Sequence, residues 1–578
     1  MADLAEPMPA VSTADVSDLA AFGYKQELHR SLGSFSSFAA SFSYLSILTG
    51  VFELFAFGFG FGGPAFFWTW PMVFVGQLAV AFCFAEMSGQ YPLAGSVYQW
   101  SKQIARSLTS WLAGWIMVIG AIVTIAAVAV AYQVILPQIS TAFEIVGGPG
   151  DAGLYSTPGG AKNAVILGVG LVVFTTIVNC VGVRLMSIIN NIGVITELIG
   201  STLLILLLAF HIKRGPQVVF QTAGTGAGHT AGYLGAFLGA ALMSAYVFYG
   251  FDTAGSLAEE TNNPRKYAPR AIIRAVVAVF VIGALLMLVG MMAVGNIKAS
   301  QLSTQGLPYL VKSTLGNGLG DVFLACSAIA ITVCCLAVQA ACIRMLFSMA
   351  RDQRLPFGRA IARVSGRSKT PMVPALLTGI LAIALLLANI GNQRVFTIIT
   401  SVAIILFYIP YLMVTGPMLV RRLRGHWPRP EHGEYFSMGR WGLPVNAFAV
   451  LYGLLMTLNL AWPRGGVYGT DHWYFQWGAF VFTGIIVAAG LAYYAIRHRG
   501  RVPAESPAAD PALSPGQPTA LRNQPYAISP TQSALRSGPG AGEISSSGGS
   551  RLVARRASRC GRSGLRCARS ITRARLPA

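Results

Sequence analysis

The stretch 46–64, "SILTGVFELFAFGFGFGGP", carries three glycines at the G-x-G-x-x-G spacing of a dinucleotide-binding loop: Gly58, Gly60 and Gly63. Such a loop needs a strand before it and a helix after it, so that a pyrophosphate meets the helix N-terminus. Here the glycines end an apolar run, and the acidic residue about twenty positions on, Glu86, lies at the far end of the next apolar run. We therefore reject a nucleotide site and predict that these glycines let a helix end pack closely.

The upstream part of the same stretch indicates different chemistry. Thr49 and Gly50 lie near the middle of the apolar run, where a glycine and a β-branched residue can let a helix open. A second apolar run is interrupted in the same way by Gly250, with Asp252 close behind it. Freed backbone groups at such a depth are tolerated only where they line a cavity or are buried in protein. Transporters use this device to bind substrate at the membrane midplane.

The elements that carry these residues must be membrane-spanning helices. Of the 578 residues, 54% are hydrophobic and only 11% are charged, whereas soluble domains are about one quarter charged. A membrane-spanning helix needs about 20 apolar residues. Twelve apolar runs approach this length, near 34–61, 67–88, 109–137, 161–183, 187–211, 232–258, 271–295, 319–349, 372–391, 394–419, 442–463 and 473–496.

The distribution of basic residues predicts the orientation in the membrane. The first thirty residues carry Asp3, Glu6, Asp15 and Asp18 and no continuous apolar core, which argues against a cleavable signal peptide. One set of alternate connections holds 20 Lys and Arg residues up to residue 440, and the other set, counted as far as Arg464, holds 7. Because basic connections stay on the cytoplasmic side, we predict a multi-pass protein of the cytoplasmic membrane with both termini in the cytoplasm.

The net charge of +21 does not indicate a nucleic-acid partner. After residue 496 there are 14 of the 42 basic residues and only three acids. Residues 500–578 are rich in Pro, Ser, Gly, Ala and Arg, so we predict a disordered basic cytoplasmic tail. Binding to lipid headgroups and a non-functional extension both remain open for this tail.

Cysteine and histidine do not form the clusters that a metal site or an enzyme needs. Cys326, Cys334, Cys335 and Cys342 fall in one predicted span without a C-x-x-C motif or a nearby His, which favours packing. The seven His lie in loops or at span ends. We therefore expect no metal, no cofactor and no enzymatic activity.

Three longer stretches follow spans 2, 6 and 8: "AEMSGQYPLAGSVYQWSKQIA" (85–105), "YGFDTAGSLAEETNNPRKYAPRAI" (249–272) and "RMLFSMARDQRLPFGRAIARV" (344–364). In sequence and order they resemble the amino acid-polyamine-organocation superfamily, especially its amino acid/choline transporter branch. The resemblance covers roughly residues 20–500. It implies an all-α, LeuT-like fold with spans 1–5 and 6–10 as inverted repeats and broken helices in spans 1 and 6.

The resemblance also implies a domain organisation. It places a cytoplasmic N-terminal segment at 1–33 and a transmembrane transporter domain at 34–499. Within that domain, repeat 1 covers 34–211, repeat 2 covers 232–419, and helices 11 and 12 cover 442–496.

Carried over to this chain, the family's substrate site lies at the two breaks. The amides that would receive a substrate carboxylate belong to Leu48, Thr49, Gly50 and Val51, aided by the positive end of the half-helix. The carbonyls that would receive the substrate ammonium belong to Phe248, Tyr249, Gly250 and Phe251. Tyr246 falls where relatives often place an aromatic side chain that closes over the substrate.

Three carboxylates at membrane depth are candidates for coupling or gating, because an ionisable group there is costly unless it is paired or hydrated. Glu197 stands where some proton-coupled relatives have a lysine; the alternatives are pairing with Arg344 or a hydrogen bond to span 1. Asp252 corresponds to an acid that links the site to the inner gate in some relatives, or it caps the second half-helix. Glu53 is the third candidate, with a hydrogen bond to the facing span as its alternative.

Charged residues near the cytoplasmic ends of spans 6 and 8 are expected to be structural. Glu259 and Glu260 lie near several arginines, and a solvated surface pair is favoured over an inner salt-bridge gate. Arg344, about two turns from the end of span 8, is expected to pair or to extend to that end.

These observations predict a permease that moves an amino acid or related amine by alternating access, with the proton as coupling ion. Exchange of one amine for another and uptake of choline or another amine remain open. An ion channel is a more distant alternative, because no repeated filter segment is present. The expected partners are a small-molecule substrate and membrane lipid, and the oligomeric state stays open.

Overall fold

A computed structural model of the chain describes residues 19–498 except 156, 230, 367, 392, 429–434 and 466–471. The predictions for residues 1–18 and for the basic tail at 500–578 lie outside the described residues. Throughout the described part the chain is helical, and its β-structure is one isolated parallel bridge between Leu32 and Thr261. The predicted all-α class is therefore confirmed.

Spans 1 to 5 are formed by six helices, and a seventh, amphipathic helix lies between spans 2 and 3. Span 1 consists of α1 (Ser34–Leu45) and α2 (Ile47–Gly62), and span 2 is α3 (Thr69–Gln90). The amphipathic α4 (Ser96–Ile104) follows, and spans 3, 4 and 5 are α5 (Ser107–Ile139), α6 (Pro158–Val181) and α7 (Val183–Ala209).

Spans 6 to 12 complete the bundle. Span 6 consists of α8 (Tyr233–Val247), a non-helical segment and the short helix Thr253–Ser256. Spans 7 to 10 lie in α9 (Pro264–Ala293), α10 (Gly306–Arg351), α11 (Met372–Gly391) and α12 (Gln393–Leu423), and spans 11 and 12 are α13 (Gly442–Ala461) and α14 (Gly478–His498).

Length and apolar composition make these helices membrane spans. Nine candidate spans occur among the described residues, and the first, Ser34–Gln90, takes in both span 1 and span 2. Two shorter apolar helices, Tyr233–Val247 and Met372–Ala388, supply spans 6 and 9. Each of the twelve predicted spans therefore has a helical counterpart, and the chain is a multi-pass membrane protein.

Spans 1, 3, 6 and 8 form the centre of the bundle, where α10 packs against α5, α7 and α2, and α8 packs against α2. Small residues allow this close approach. A Cβ atom at Gly114 of α5 would lie 2.8 Å from Met349 of α10, and one at Gly193 of α7 would overlap Val333 of α10. The central helices therefore position the two predicted breaks side by side.

Residues 19–33 lie across one end of the bundle, which we call the N-terminal face. The amides of Ser31 and Leu32 each donate to the carbonyl of Glu260 at 2.9 Å, and the amide of Asn262 donates to the carbonyl of Leu32 at 2.9 Å. Arg30 adds a hydrogen bond of 2.8 Å from its guanidinium to the carbonyl of Thr261. This segment is therefore fixed to the turn that follows span 6.

Gly58, Gly60 and Gly63 lie at a helix end and not in a nucleotide-binding loop. Helix α2 runs to Gly62, and a 3-10 turn, Gly63–Trp68, follows it. Close packing is confirmed at two of the three positions. A Cβ atom at Gly58 would lie 2.8 Å from the ring of Phe66, and Gly63 has φ +58°. Gly60 differs, because it is exposed and a Cβ atom there would make only an ordinary contact with Ser303.

Candidate functional site

The break in span 1 lies at Ser46, three residues before the predicted Thr49. Helix α1 ends at Leu45, Ser46 adopts φ 8° and ψ 108°, and α2 begins at Ile47. The Ser46 hydroxyl accepts a hydrogen bond of 3.2 Å from the amide of Thr49. A serine side chain can satisfy the amides that a helix start leaves free. The interruption therefore needs no glycine, and a serine before an apolar helical run was the signal for it.

Gly50 serves a different purpose, which is the contact between spans 1 and 6. It lies in the first turn of α2. A Cβ atom there would lie 2.5 Å from Cγ2 of Val247, the last residue of α8. The missing side chain thus allows the two broken helices to meet at their breaks.

Glu197 of α7 caps the start of α2. Its Oε1 atom accepts hydrogen bonds from the Ser46 hydroxyl at 2.9 Å and from the Leu48 amide at 3.0 Å. The side chain is fully buried, and its Oε2 atom has no hydrogen-bond partner among the described residues. Of the two structural alternatives for Glu197, the hydrogen bond to span 1 is therefore present, whereas Arg344 pairs elsewhere.

The amides predicted to receive a substrate carboxylate already have partners inside the protein. Leu48 donates to Glu197, Thr49 donates to the Ser46 hydroxyl, and Gly50 donates to the Ser46 carbonyl at 3.0 Å. Val51 lies in the next position of α2 and is fully buried. A substrate carboxylate at this helix end would have to replace at least one of these contacts.

The break in span 6 lies where the sequence places it. Helix α8 ends at Val247, and helical structure resumes at Thr253. Gly250 lies between them with φ +91°, a conformation that favours glycine. A Cβ atom at Gly250 would also overlap the ring of Tyr44 in span 1. Conformation and close packing therefore both require a glycine at this position.

Asp252 does not cap the half-helix that follows it. Its Oδ1 atom accepts a hydrogen bond of 2.7 Å from the Tyr411 hydroxyl, and its Oδ2 atom accepts one of 2.6 Å from the Ser96 hydroxyl. Tyr411 also accepts a hydrogen bond of 2.8 Å from the Gly250 amide. The capping alternative is therefore wrong, and Asp252 joins the break of span 6 to α4 and α12.

Two of the four carbonyls assigned to the substrate ammonium are engaged within the protein. The Gly250 carbonyl accepts from the Thr253 hydroxyl at 2.7 Å, and the Phe251 carbonyl accepts from the Ser41 hydroxyl at 2.9 Å. The other two predicted residues, Phe248 and Tyr249, are fully buried beside them.

A narrow cavity lies between the two breaks. Its lining includes the predicted residues Thr49, Gly50, Tyr246 and Tyr249, together with Tyr44, Ser46, Thr124 and Cys334. A second small cavity on the side of the N-terminal face is lined by Asp252 and Phe407, and Tyr44 lines both cavities. The ring of Tyr44 packs edge-on against Tyr249 and Phe407, with centroids 6.1 and 6.0 Å away. Tyr44 therefore separates the two spaces.

Sequence reasoning missed several residues of this site, namely Tyr44, Ser46, Thr124, Phe407 and Tyr411. Tyr411 is 159 positions from Asp252 in the chain, and the hydroxyls of Thr124 and Tyr249, 3.0 Å apart, belong to spans 3 and 6. No spacing in the sequence brings such residues together. For Ser46 alone the helix-start signal was available.

Glu53 lies on α2 one turn beyond Gly50 and is half-buried. One oxygen of its carboxyl group and the hydroxyl of Tyr246 are buried without a hydrogen-bond partner among the described residues. The structure thus places both predicted residues near the cavity, and the role of Glu53 stays a prediction.

Glu259 and Glu260 form buried ion pairs at the N-terminal face. Arg344 pairs with Glu260 at 3.0 Å, and both side chains are 1% exposed. Arg351 donates two hydrogen bonds to the Glu259 carboxylate, at 2.9 and 2.8 Å. The solvated surface pair that the sequence favoured is therefore wrong, because the turn after span 6 lies beneath the N-terminal segment.

A neighbouring cluster joins the N-terminal segment to α4 and to the end of α10. Asp352 pairs with Lys102 at 2.6 Å and accepts hydrogen bonds of 2.8 Å from the hydroxyls of Tyr24 and Tyr98. Burial, and then the nearby Asp352 carboxylate, raise the pKa of the Tyr24 hydroxyl. Tyr24 therefore stays protonated around neutral pH and keeps donating to Asp352.

The sequence was compared with models of known protein families. Residues 32–487 match the family described as amino acid permease. The chain belongs to the amino acid permease family. This membership agrees with the resemblance carried by the three long motifs, and it makes the chain a membrane transporter and not an enzyme.

Curated relatives of this permease include transporters from plants and bacteria. Amino-acid permease BAT1 of Arabidopsis thaliana is 28% identical over 467 residues, which cover 76% of this chain and 88% of the relative. Branched-chain amino acid permease BcaP of Bacillus subtilis is 26% identical over 466 residues, covering 77% and 91%. The methylthioribose transporter of Bacillus subtilis is 27% identical over 362 residues, covering 60% and 74%.

Proposed function

We propose that this permease moves a neutral amino acid or a related amine across the cytoplasmic membrane by alternating access, coupled to protons. The observation that carries the proposal is the meeting of two broken helices at one cavity. There Ser46 interrupts span 1, and Gly250 interrupts span 6. Interrupted helices at membrane depth are tolerated around a cavity or within protein, and transporters bind substrate at such places.

The lining of the cavity supports a substrate without a second charged group. It combines three tyrosines and two threonines with Leu45, Val128 and Val247, and no basic side chain is among the lining residues. The relatives named for amino acids and for branched-chain amino acids agree with a neutral substrate, whereas the one named for methylthioribose widens the range. Choline and other amines stay within the proposal.

Glu197 is our candidate for the coupling proton. It is a fully buried carboxyl group that receives hydrogen bonds from neutral donors of span 1, and its second oxygen has no partner within the described part of the chain. A buried carboxyl group without a cationic partner is costly when ionised, so its protonation state can respond to its surroundings. Asp252 is the gating candidate, because it links the span 6 break to α4 and α12.

We further propose that the N-terminal face is the cytoplasmic one and that both termini lie in the cytoplasm. The support is the excess of basic residues in the connections on this side. Labelling of a single cysteine introduced at Arg363, in the loop after span 8, tests it in intact cells. A membrane-impermeant reagent should react only after permeabilisation, and reaction in intact cells would reverse the orientation.

Uptake into proteoliposomes tests the transport proposal. A pH gradient, acidic outside, imposed on vesicles without internal substrate should drive saturable uptake of a radiolabelled neutral amino acid. Uptake that requires internal substrate would instead establish the exchanger alternative. The variants Gly50→Leu and Gly250→Leu should abolish uptake, because each places a side chain in the contact between the broken helices. Unchanged uptake in both variants would count against the proposed site.

A further inference from the structure

We infer that Glu197 and the carboxylate of an amino acid substrate compete for the same hydrogen-bond donors at the start of α2. Protonation of Glu197 would then be a condition for binding a carboxylate-bearing substrate. This inference rests on the proposed transport function. Beyond that function, it states how binding of the substrate is linked to protonation of Glu197. It also states for which class of substrate the binding affinity depends on that protonation.

The first support is the geometry of the helix start. The N-terminus of a helix attracts anions, because its free amides and the helix dipole both favour negative charge. At α2 this place is already taken, since Glu197 accepts from the Ser46 hydroxyl at 2.9 Å and from the Leu48 amide at 3.0 Å. The protein thus provides its own carboxylate where a substrate carboxylate would bind.

The second support is independent of the helix. The Oε2 atom of Glu197 is buried and has no hydrogen-bond partner among the described residues. Of the two residues that donate to Glu197, Ser46 lines the cavity, and Leu48 lies in the chain between the lining residues Ser46 and Thr49. A carboxyl group with an unused oxygen can hold a proton there while keeping its other oxygen as an acceptor.

Within the described residues, Glu197 makes no ion pair with a basic side chain. The titratable group that faces it is Cys334 of α10, and Glu53 of α2 lies near that same cysteine. The charged residues of span 7, which packs against α7, lie at its first turns, from Arg265 to Arg274. Arg344 of α10 is engaged by Glu260. Protonation is therefore the direct way to neutralise Glu197.

These contacts give a sequence of steps in which charge balances. A proton binds to Glu197 and neutralises it, so its hold on the Leu48 amide and the Ser46 hydroxyl weakens. The substrate carboxylate then accepts from these donors and restores the negative charge at the helix start. Release of the substrate returns the donors to Glu197, and the proton leaves. Because two anions do not occupy the same donors, substrate and proton travel together.

The inference separates two substrate classes. A carboxylate-bearing amino acid should bind more weakly by about tenfold per pH unit once Glu197 is ionised, since one proton is linked to one ligand. An amine or an amino acid amide has no carboxylate to place at α2. Its affinity, corrected for the fraction of its α-amino group that is protonated (pKa about 8), should therefore not fall over the same range of pH.

Binding measured on the purified full-length protein tests this. The probes are L-leucine and L-leucinamide, followed by the other amino acids with their amides, each titrated between pH 5 and about pH 9. The variant Glu197→Gln imitates the protonated acid and should bind the amino acid without the pH slope. Glu197→Ala, which removes the acceptor altogether, should remove the slope as well and provides a second variant if the first is unstable. Glu144→Gln, the same change in a loop, should keep the slope.

Three results are decisive. A slope that persists in both Glu197 variants, or that is absent from the unaltered protein, overturns the inference. Binding of the amides alone at every pH and in every variant also overturns it, while leaving the permease proposal standing. If none of the amino acids, amides or amines binds saturably, the proposed function itself fails, and the inference fails with it.

Discussion

The cavity between the broken helices and the N-terminal face hold their buried carboxylates in opposite ways. At the N-terminal face each of four carboxylates has a cation, in the pairs Glu260–Arg344, Glu259–Arg351, Asp352–Lys102 and Glu86–Arg422. Beside the two breaks, Glu197 and Asp252 receive hydrogen bonds only from hydroxyl groups and an amide, among the described residues.

The difference has a physical consequence. A buried carboxylate that faces a guanidinium stays ionised, because loss of either charge leaves the other one unpaired. A carboxylate held by neutral donors leaves no opposite charge unpaired when it binds a proton. The N-terminal face is thus built to hold one arrangement, and the cavity is built to allow a change of charge.

The largest expected effect comes from breaking an ion pair at the N-terminal face. Arg344→Met leaves Glu260 buried and without its cation, so the free energy of unfolding should fall by about 3–5 kcal/mol. Thermal unfolding of the detergent-solubilised protein measures this. The double variant Arg344→Met/Glu260→Gln serves as the control and should recover much of the loss. An equal loss in the single and double variants would show that the pair itself contributes little.

The next effect is on transport, at the cavity. Gly250→Ala should reduce uptake by about tenfold or more, because the residue has φ +91° and faces the Tyr44 ring. Gly60→Ala is the matched control, since a Cβ atom there meets only an ordinary contact with Ser303. Uptake in proteoliposomes and the melting temperature should be compared for both. Equal uptake in the two variants would contradict the role of the span 6 break.

A smaller effect is expected at Asp252, where only a charge is removed. Asp252→Asn keeps an acceptor for Tyr411 or Ser96, so the melting temperature should change little while uptake falls several-fold. Tyr411→Phe is the companion variant and should lower uptake in the same direction. A large loss of stability without a specific loss of uptake would assign Asp252 to structure alone.

The smallest effect concerns the partly exposed pair at the N-terminal face. Lys102 is 25% exposed, so Lys102→Met should lower the free energy of unfolding by about 1 kcal/mol or less. High salt should reduce the difference between the variant and the unaltered protein. A loss as large as that of Arg344→Met would show that the difference in exposure between the two ion pairs does not determine how much each one stabilises the protein.

Much of the fold could be predicted from the sequence, because hydropathy over about twenty residues reports directly on membrane spans. The span 6 break was also predictable, since a glycine inside an apolar run can adopt a conformation that few other residues adopt. Gly250 does so, with φ +91°. The span 1 break was misplaced by three residues. A hydroxyl side chain, Ser46, does there what a glycine was expected to do, and Glu197 of another span supports it.

The partners of the charged residues could not be predicted. The sequence identified Glu197, Asp252, Glu259 and Glu260 as the groups to explain, and it left several partners open for each. Only the tertiary structure decided that Glu260 faces Arg344 and that Glu197 faces the start of α2. Glu260 and Arg344 are 84 positions apart in the chain, and Leu48 and Glu197 are 149 positions apart. They depend on how helices pack, which local sequence does not specify.

The sequence by itself determined the class of this protein, its membrane spans and which two spans are interrupted, because composition and backbone preference are local properties. The tertiary structure decided which donors each buried carboxyl group receives. Electrostatic and hydrogen-bond energies depend on distances between helices that are far apart in the chain. The contact between Glu197 and α2, on which the proposed proton linkage rests, is of this second kind.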